Sequence, residues 1–263
     1  MLKNILIVGG GSAGWITANL LNHFIQRFEL PCQITLVESP DIPTIGVGEA
    51  TVPSIRRTMS LIGIAEGDLM ASSEATFKCL IRFENWNDGQ SYDHPFDRRH
   101  RTQTDPLAEA WTAQNGKDFD RTFSVLTNLA DHNIAPKSPQ TPQYLANFPY
   151  AYHLDAIKMA LRLAEFGRSK GILHKRANIT EANVSPEGLI ESVETDQGET
   201  LSADLFVDCT GFRSVLMGGA LGVGVKDYSK YLLCDRAVTM RVPYEVHKPE
   251  RIVTYTRSIA RDH

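Results

Sequence analysis

Gly9-Gly10-Gly11-Ser12-Ala13-Gly14 carries glycines in the spacing G-x-G-x-x-G. Such a turn can capture a pyrophosphate. Gly9 permits the tight turn, Gly11 lets a phosphate approach the backbone, and Gly14 lets a following helix lie close on the preceding strand. Ser12 and Ala13 then stand at a helix N-terminus, whose free N–H groups and partial positive charge favour an anion. Glu38 follows Gly14 by 24 residues. A carboxylate at that distance can accept the hydroxyls of an adenosine ribose. The competing reading is a plain strand-to-helix turn followed by a solvated glutamate. On these residues alone a dinucleotide cofactor is expected, and NAD and FAD both stay open.

The elements that must position these residues are legible in the pattern. Asn4–Val8 is apolar after its first residue and reads as a buried strand. Gly14–Phe28 reads as a helix, with Trp15, Ile16, Leu20, Leu21, Phe24, Ile25 and Phe28 on its apolar stripe. Gln33–Glu38 is a second strand, so the chain opens β-α-β, the start of a parallel sheet. Asp41–Pro53 is a Gly- and Pro-rich loop, Ser54–Ile64 a helix and Thr76–Trp86 a strand. Residues 87–149 are expected to hold helices separated by long loops. Leu154–Gly171 reads as an amphipathic helix stopped by Gly171. Strands are expected at Asn178–Asn183, Gly188–Thr195 and Thr200–Val207, the last two joined by a hairpin turn at Asp196-Gln197-Gly198. After a Gly-rich stretch, Gly218–Gly224, strands are expected at Ala237–Val242 and Ile252–Thr256.

Val207-Asp208-Cys209-Thr210-Gly211 bears on the choice of cofactor. A late strand running into Thr-Gly resembles the second nucleotide-contact motif of the glutathione-reductase-like flavoproteins, where it passes the adenosine half of FAD. That likeness favours FAD and adds Gly211 to the cofactor residues. A more specific likeness lies in Gly46-Val47-Gly48-Glu49-Ala50-Thr51-Val52-Pro53. It resembles the G-x-G-E-[AS]-T-x-P signature of the flavin-dependent tryptophan halogenase family. Further segments match in order: Ile7 to Trp15, Phe77-Lys78 with Phe83-Glu84-Asn85-Trp86, His94-Pro95-Phe96, Tyr152-His153-Leu154-Asp155, and Asp208 to Arg213.

The resemblance implies an α/β, glutathione-reductase-like (Rossmann-type) FAD-binding fold. It would have a parallel sheet, a small antiparallel sheet and an inserted helical and loop region. Residues 1–53 and 150–225 would form the dinucleotide-binding elements and 54–149 the insertion of a single domain. The resemblance also implies an activity. A separate flavin reductase supplies reduced FAD, and oxygen and a halide ion yield hypohalous acid. A lysine passes that oxidant to an aromatic substrate such as tryptophan or another indole. By the match at Phe77-Lys78 the lysine is Lys78. An amine relieved of its charge is a nucleophile towards hypohalite, and an ammonium can polarise it. Ala50 and Thr51 are implied to meet the isoalloxazine through their backbone. Glu49 either does the same or caps the next helix, and Ile179 either meets the adenine through its backbone or is a core strand residue. His153 is expected to be structural, at a helix start, and Trp86 and Trp111 to be core residues.

Family members are roughly twice this length, and their W-x-W-x-I-P motif is absent here. The chain is therefore expected to be the truncated, N-terminal portion of a halogenase, inactive by itself on a free aromatic. Two alternatives remain: a flavin-dependent aromatic hydroxylase and a non-catalytic FAD-binding fragment.

Composition narrows the remaining classes. The chain has 263 residues, 42% hydrophobic, with a formal net charge of −4, which excludes disorder as the main state and argues against nucleic acid as a partner. No apolar run reaches the ~18 residues of a membrane helix. The N-terminal apolar stretch runs into glycines rather than a cleavage site. Four widely spaced cysteines make no C-x-x-C pair, and the histidines His23, His94, His100, His132 and His174 show no metal-ligand spacing. A cytoplasmic protein without metal is expected, with a homodimer left open.

Overall fold

The computed structural model describes residues 2–43, 48–87, 89–97, 109, 111, 113, 119–234, 236–240, 242–243 and 251–260. It divides into two compact units: residues 1–47, 61–64 and 155–243, and residues 48–60, 65–154 and 244–263.

The first unit is built on a parallel sheet. Strand β1 (Asn4–Val8) is central, between β2 (Gln33–Glu38) and β11 (Leu205–Asp208), with β7 (Leu173–Arg176) beyond β2. Ile5, Leu6, Ile7 and Val8 are all buried, as a parallel strand covered on both faces requires. On one face Leu6, Val8 and Val37 join Ala177, Val193 and Leu216 in a core cluster. Helices α1 (Ser12–Arg27) and α6 (Ala156–Ser169) pack together. Asn19 Nδ2 bridges them, donating to the carbonyls of Trp15 (2.8 Å) and Leu163 (3.0 Å). A small antiparallel sheet, β10-β9-β8 (Thr200–Ser202, Ile190–Thr195, Ile179–Val184), completes the unit.

The second unit holds a five-stranded sheet. Its order is β12 (Val253–Ile259), β4 (Thr76–Asn87), β6 (Ala151–Asp155), β3 (Gly48–Ala50), with β5 (Gln90–Pro95) paired to β4. Around it lie α2 (Ser54–Ile62), α3 (Glu66–Ser72), α4 (Phe119–Phe123) and α5 (Leu126–Asp131).

Several expectations are corrected. The stretch Thr200–Val207 is two strands in two sheets, not one. Between them Asp204 turns the chain, its carboxylate accepting from Lys3 N at 2.6 Å and Asn4 N at 2.9 Å. Leu154 and Asp155 belong to β6, and Asp155 caps α6 by accepting from Lys158 N at 3.0 Å. Within 87–149 the strand β5 stands where helices were expected. Among the described residues of 237–242 there is no strand. Strand β7, Leu-His-Lys-Arg, has no apolar alternation. It forms because β2 offers it a parallel register, Thr35 to Leu173 through Glu38 to Arg176, a case of tertiary pairing overriding sequence preference.

Candidate functional site

The glycine turn of the first unit joins β1 to α1. Gly9 has φ +114°, a conformation glycine adopts freely, and its N–H donates to the Val37 carbonyl at 2.8 Å. A Cβ at Gly9 would overlap the Cys209 carbonyl, and one at Gly14 would overlap the Gly9 carbonyl oxygen. Packing therefore accounts for both. A Cβ at Gly10 would run into the Glu38 carboxyl, so the acid lies over the turn. Gly11 is different, because a Cβ there meets nothing within 4 Å. Gly11 is also the N-cap of α1, with no side chain capping the helix and no acid in its first turn. Open space faces uncapped helix N–H groups, a combination suited to a phosphate. These residues fit a dinucleotide. Ser12, Ala13 and Gly14 form that first turn, two residues earlier than the apolar stripe suggested.

The late Thr-Gly turn is laced by Asp208. Its carboxylate accepts from Thr210 N (3.0 Å), Thr210 Oγ1 (2.6 Å), Leu216 N (2.8 Å) and Met217 N (2.9 Å). Burial works to raise this carboxyl, but these donors outweigh it and hold it below the usual range. Gly211, at φ +61°, starts a 3-10 turn. Cys209 N donates to the Val8 carbonyl at 2.7 Å, tying this turn to the first. Ile179 opens β8 opposite Thr195 and packs on the core cluster.

Lys78, in the second unit, is 2% exposed. Its Nζ donates to the Thr51 carbonyl at 3.0 Å and lies 5.3 Å from the centre of the Phe96 ring. Among the described residues no carboxylate pairs with it. Burial pushes the ammonium below the usual lysine range. Thr51 is fixed in turn by Tyr152. Thr51 N and Oγ1 both reach the Tyr152 carbonyl (2.9 and 2.8 Å), and Tyr152 N donates to Thr51 Oγ1 at 2.9 Å. Thr51 N is thus committed to β6. Glu49 and Ala50 lie in β3, five and four residues before α2 begins at Ser54. Gly46 and Val47 lie outside the described residues.

His153 sits in β6 rather than at a helix start. Its Nδ1 and Nε2 lie 2.6 and 2.9 Å from the hydroxyls of Thr254 and Thr256. Burial first, and the Lys78 charge second, lower it to about 4. Trp86 is 54% exposed and is no core residue. Nothing in the sequence flagged Glu66. Its buried carboxylate accepts from the hydroxyls of Tyr150 and Tyr152, from Lys137 Nζ (2.6 Å) and from Tyr144 N (2.8 Å). Asp208 stood inside a matched segment, but its role as organiser had no sequence signal. Among the described residues no group of His, Cys, Asp and Glu could hold a metal ion, and no helix is long and apolar enough to cross a membrane.

The strand, glycine turn and uncapped helix, closed by a second turn 200 residues later, define a dinucleotide-binding α/β protein. The family model for tryptophan halogenase matches residues 4–263, and the chain belongs to the tryptophan halogenase family. It is 34% identical to the tryptophan 6-halogenase SttH of Streptomyces toxytricini, over 98% of this chain and 53% of that one. It is 35% identical to the tryptophan 7-halogenase KtzQ of a Kutzneria species, over 98% and 51%. A crystal structure of a tryptophan halogenase from Shewanella frigidimarina superposes with TM-score 0.88 at 38% identity, covering 99% of this chain and 52% of that one. The chain thus spans about half the length of these relatives.

Proposed function

We propose that this chain supplies the FAD-binding turn and the reactive lysine of a flavin-dependent halogenase acting on tryptophan or a related indole. The observation that carries this reading is Lys78: a buried amine with no carboxylate partner among the described residues, aimed at a backbone carbonyl, in a chain of this family. FAD, reduced by a separate reductase, supplies with oxygen and halide the hypohalous acid. The pyrophosphate is held by the N–H groups of Gly11, Ser12 and Ala13, and the adenosine by Glu38 with Ile179 and Gly211 nearby. Glu49, Ala50 and Thr51 line the flavin ring. Lys78 takes the oxidant. The Thr51 carbonyl orients one N–H, and burial raises the share of neutral amine that can attack the halogen of hypohalous acid, forming a nitrogen–halogen bond as the halogen–oxygen bond breaks and hydroxide leaves with the amine proton as water. His153, kept neutral beside it, adds no competing positive charge.

Product analysis on protein expressed from its intact gene tests this. With FAD, a flavin reductase, NADH, bromide and an indole panel, a brominated product is expected. Lys78→Ala removes the product and leaves FAD affinity within about twofold. A hydroxylated product, or bromination undiminished in Lys78→Ala, overturns the reading.

A further inference from the structure

We propose that His174 is a positioning residue for the adenosine ribose, holding the Glu38 carboxylate over the glycine turn before the nucleotide arrives. The inference rests on the FAD reading above and concerns residues of the first unit alone. His174 Nε2 lies 2.9 Å from Glu38 Oε2, and its Nδ1 lies 3.4 Å from Arg168 Nη1. A carboxylate only accepts and a guanidinium only donates. The imidazole lies between the two, with Nε2 towards the Glu38 acceptor and Nδ1 towards the Arg168 donor. Trp15, 1% exposed in the first turn of α1, fixes the ring edge-on at 5.0 Å and 76°. Strand register brings the pair together. His174 lies opposite Leu36, and residues 36 and 38 of β2 share one face.

Gly10 supplies the other side of the clamp. The G-x-G-x-x-G spacing does not demand a glycine there, yet any Cβ would occupy the place of the Glu38 carboxyl. Among the described residues no group donates to Oε1, so that oxygen is left for a ribose hydroxyl. A free glutamate on the surface loses rotamer freedom when it binds. One already held by His174 and Gly10 has lost it on folding, which strengthens ligand affinity.

The test is titration of FAD by flavin fluorescence, with FMN as the ligand that lacks adenosine. His174→Phe keeps the ring against Trp15 and loses both hydrogen bonds. It should weaken FAD about tenfold and leave FMN unchanged. His174→Gln, whose amide nitrogen can reach the Nε2 position, should recover affinity to within about threefold. In a Glu38→Ala background, His174→Phe should cost nothing more, because the two act through one contact. Gly10→Ala displaces the Glu38 side chain from its γ carbon outward, with no backbone atom among the nearest that its Cβ meets. It should fold normally and lose a similar factor for FAD alone, so it carries the test if His174→Phe is unstable. Equal losses with and without Glu38, no rescue by Gln, or full affinity in Gly10→Ala overturn the positioning role. Failure of the unsubstituted protein to bind FAD, or full affinity in Glu38→Ala, overturns the FAD reading itself and this inference with it.

Discussion

Gly11→Ala and Gly14→Ala should part company, and the structure says by how much. At Gly11 the backbone is extended, φ −73° and ψ −174°, a conformation any residue adopts. An added Cβ meets no atom within 4 Å. Alanine restricts the unfolded chain, which stabilises by roughly 0.4–1 kcal/mol. It is a poorer N-cap than glycine, which costs a few tenths of a kcal/mol up to about 1. The two offset, so the melting temperature should move by less than about 2 °C. On the FAD reading proposed above, the same methyl stands where phosphate oxygens meet the helix N–H groups. Losing one hydrogen bond to a charged group costs roughly 1.5–3 kcal/mol, or ~10–150-fold in Kd. Gly14→Ala behaves in the opposite order. Its Cβ would sit inside the envelope of the Gly9 carbonyl, forcing α1 off β1 at a cost of about 1–3 kcal/mol or more. Thermal melts with and without FAD, beside a fluorescence titration, measure both quantities. Unchanged FAD affinity in a normally melting Gly11→Ala would refute the assignment of this turn to the pyrophosphate.

Three further outcomes are expected. Glu66→Gln should cost about 3 kcal/mol at pH 7, ~10 °C in Tm. Burial raises this carboxyl, but Lys137, the two tyrosine hydroxyls and the Tyr144 N–H outweigh it and hold it below its usual range. Its contribution is complete above about pH 4.3 and is lost as pH falls through the folded value, so wild type and variant should converge in acid melts. His153 is lowered to about 4, so between its unfolded value of about 6.5 and pH 4 only the unfolded chain takes up this proton. Stability should fall with falling pH by up to ~1.4 kcal/mol per unit on this account. His153→Gln should lack that slope, and an NMR titration should find the ring neutral above about pH 5. Asp208→Asn, which turns an acceptor of four donors into a mixed group, should cost about 2 kcal/mol and weaken FAD, read by melts and titration. A variant as stable as wild type would remove Asp208 from its organising role.

The β-α-β opening and its glycines were readable because strand and helix periods are short and the turn chemistry is local. The helix beginning near Ser54 and the hairpin at Asp196 to Gly198 were readable for the same reason. What escaped is held together from far along the chain. Strand β7 exists only against β2, and β5 only against β4. The break at Ala203-Asp204 is set by backbone groups 200 residues away. The same division runs through the candidate residues. Gly9, Gly11 and Gly14 announce themselves by spacing, and Lys78 by the motif around it. Glu66, Asp208 and His174 matter through partners that no local pattern names.

The pairing of β1 with β11 also sets a timetable. The first glycine turn is made within fifteen residues of the start, but its floor is the Cys209 backbone against Gly9. At the ~5–20 residues per second of synthesis, residue 209 leaves the ribosome roughly 10–40 s after residue 9. Until then β1 has β2 on one side and an unpaired edge on the other, a row of open backbone groups that can recruit a wrong strand. On the FAD reading proposed above, the nascent chain cannot complete its nucleotide cradle in that interval, however much flavin the cell contains. Cofactor loading is therefore a late event in the life of the chain. The interval before it is when a chaperone, or a slower run of codons downstream of β2, would change the yield of folded protein most.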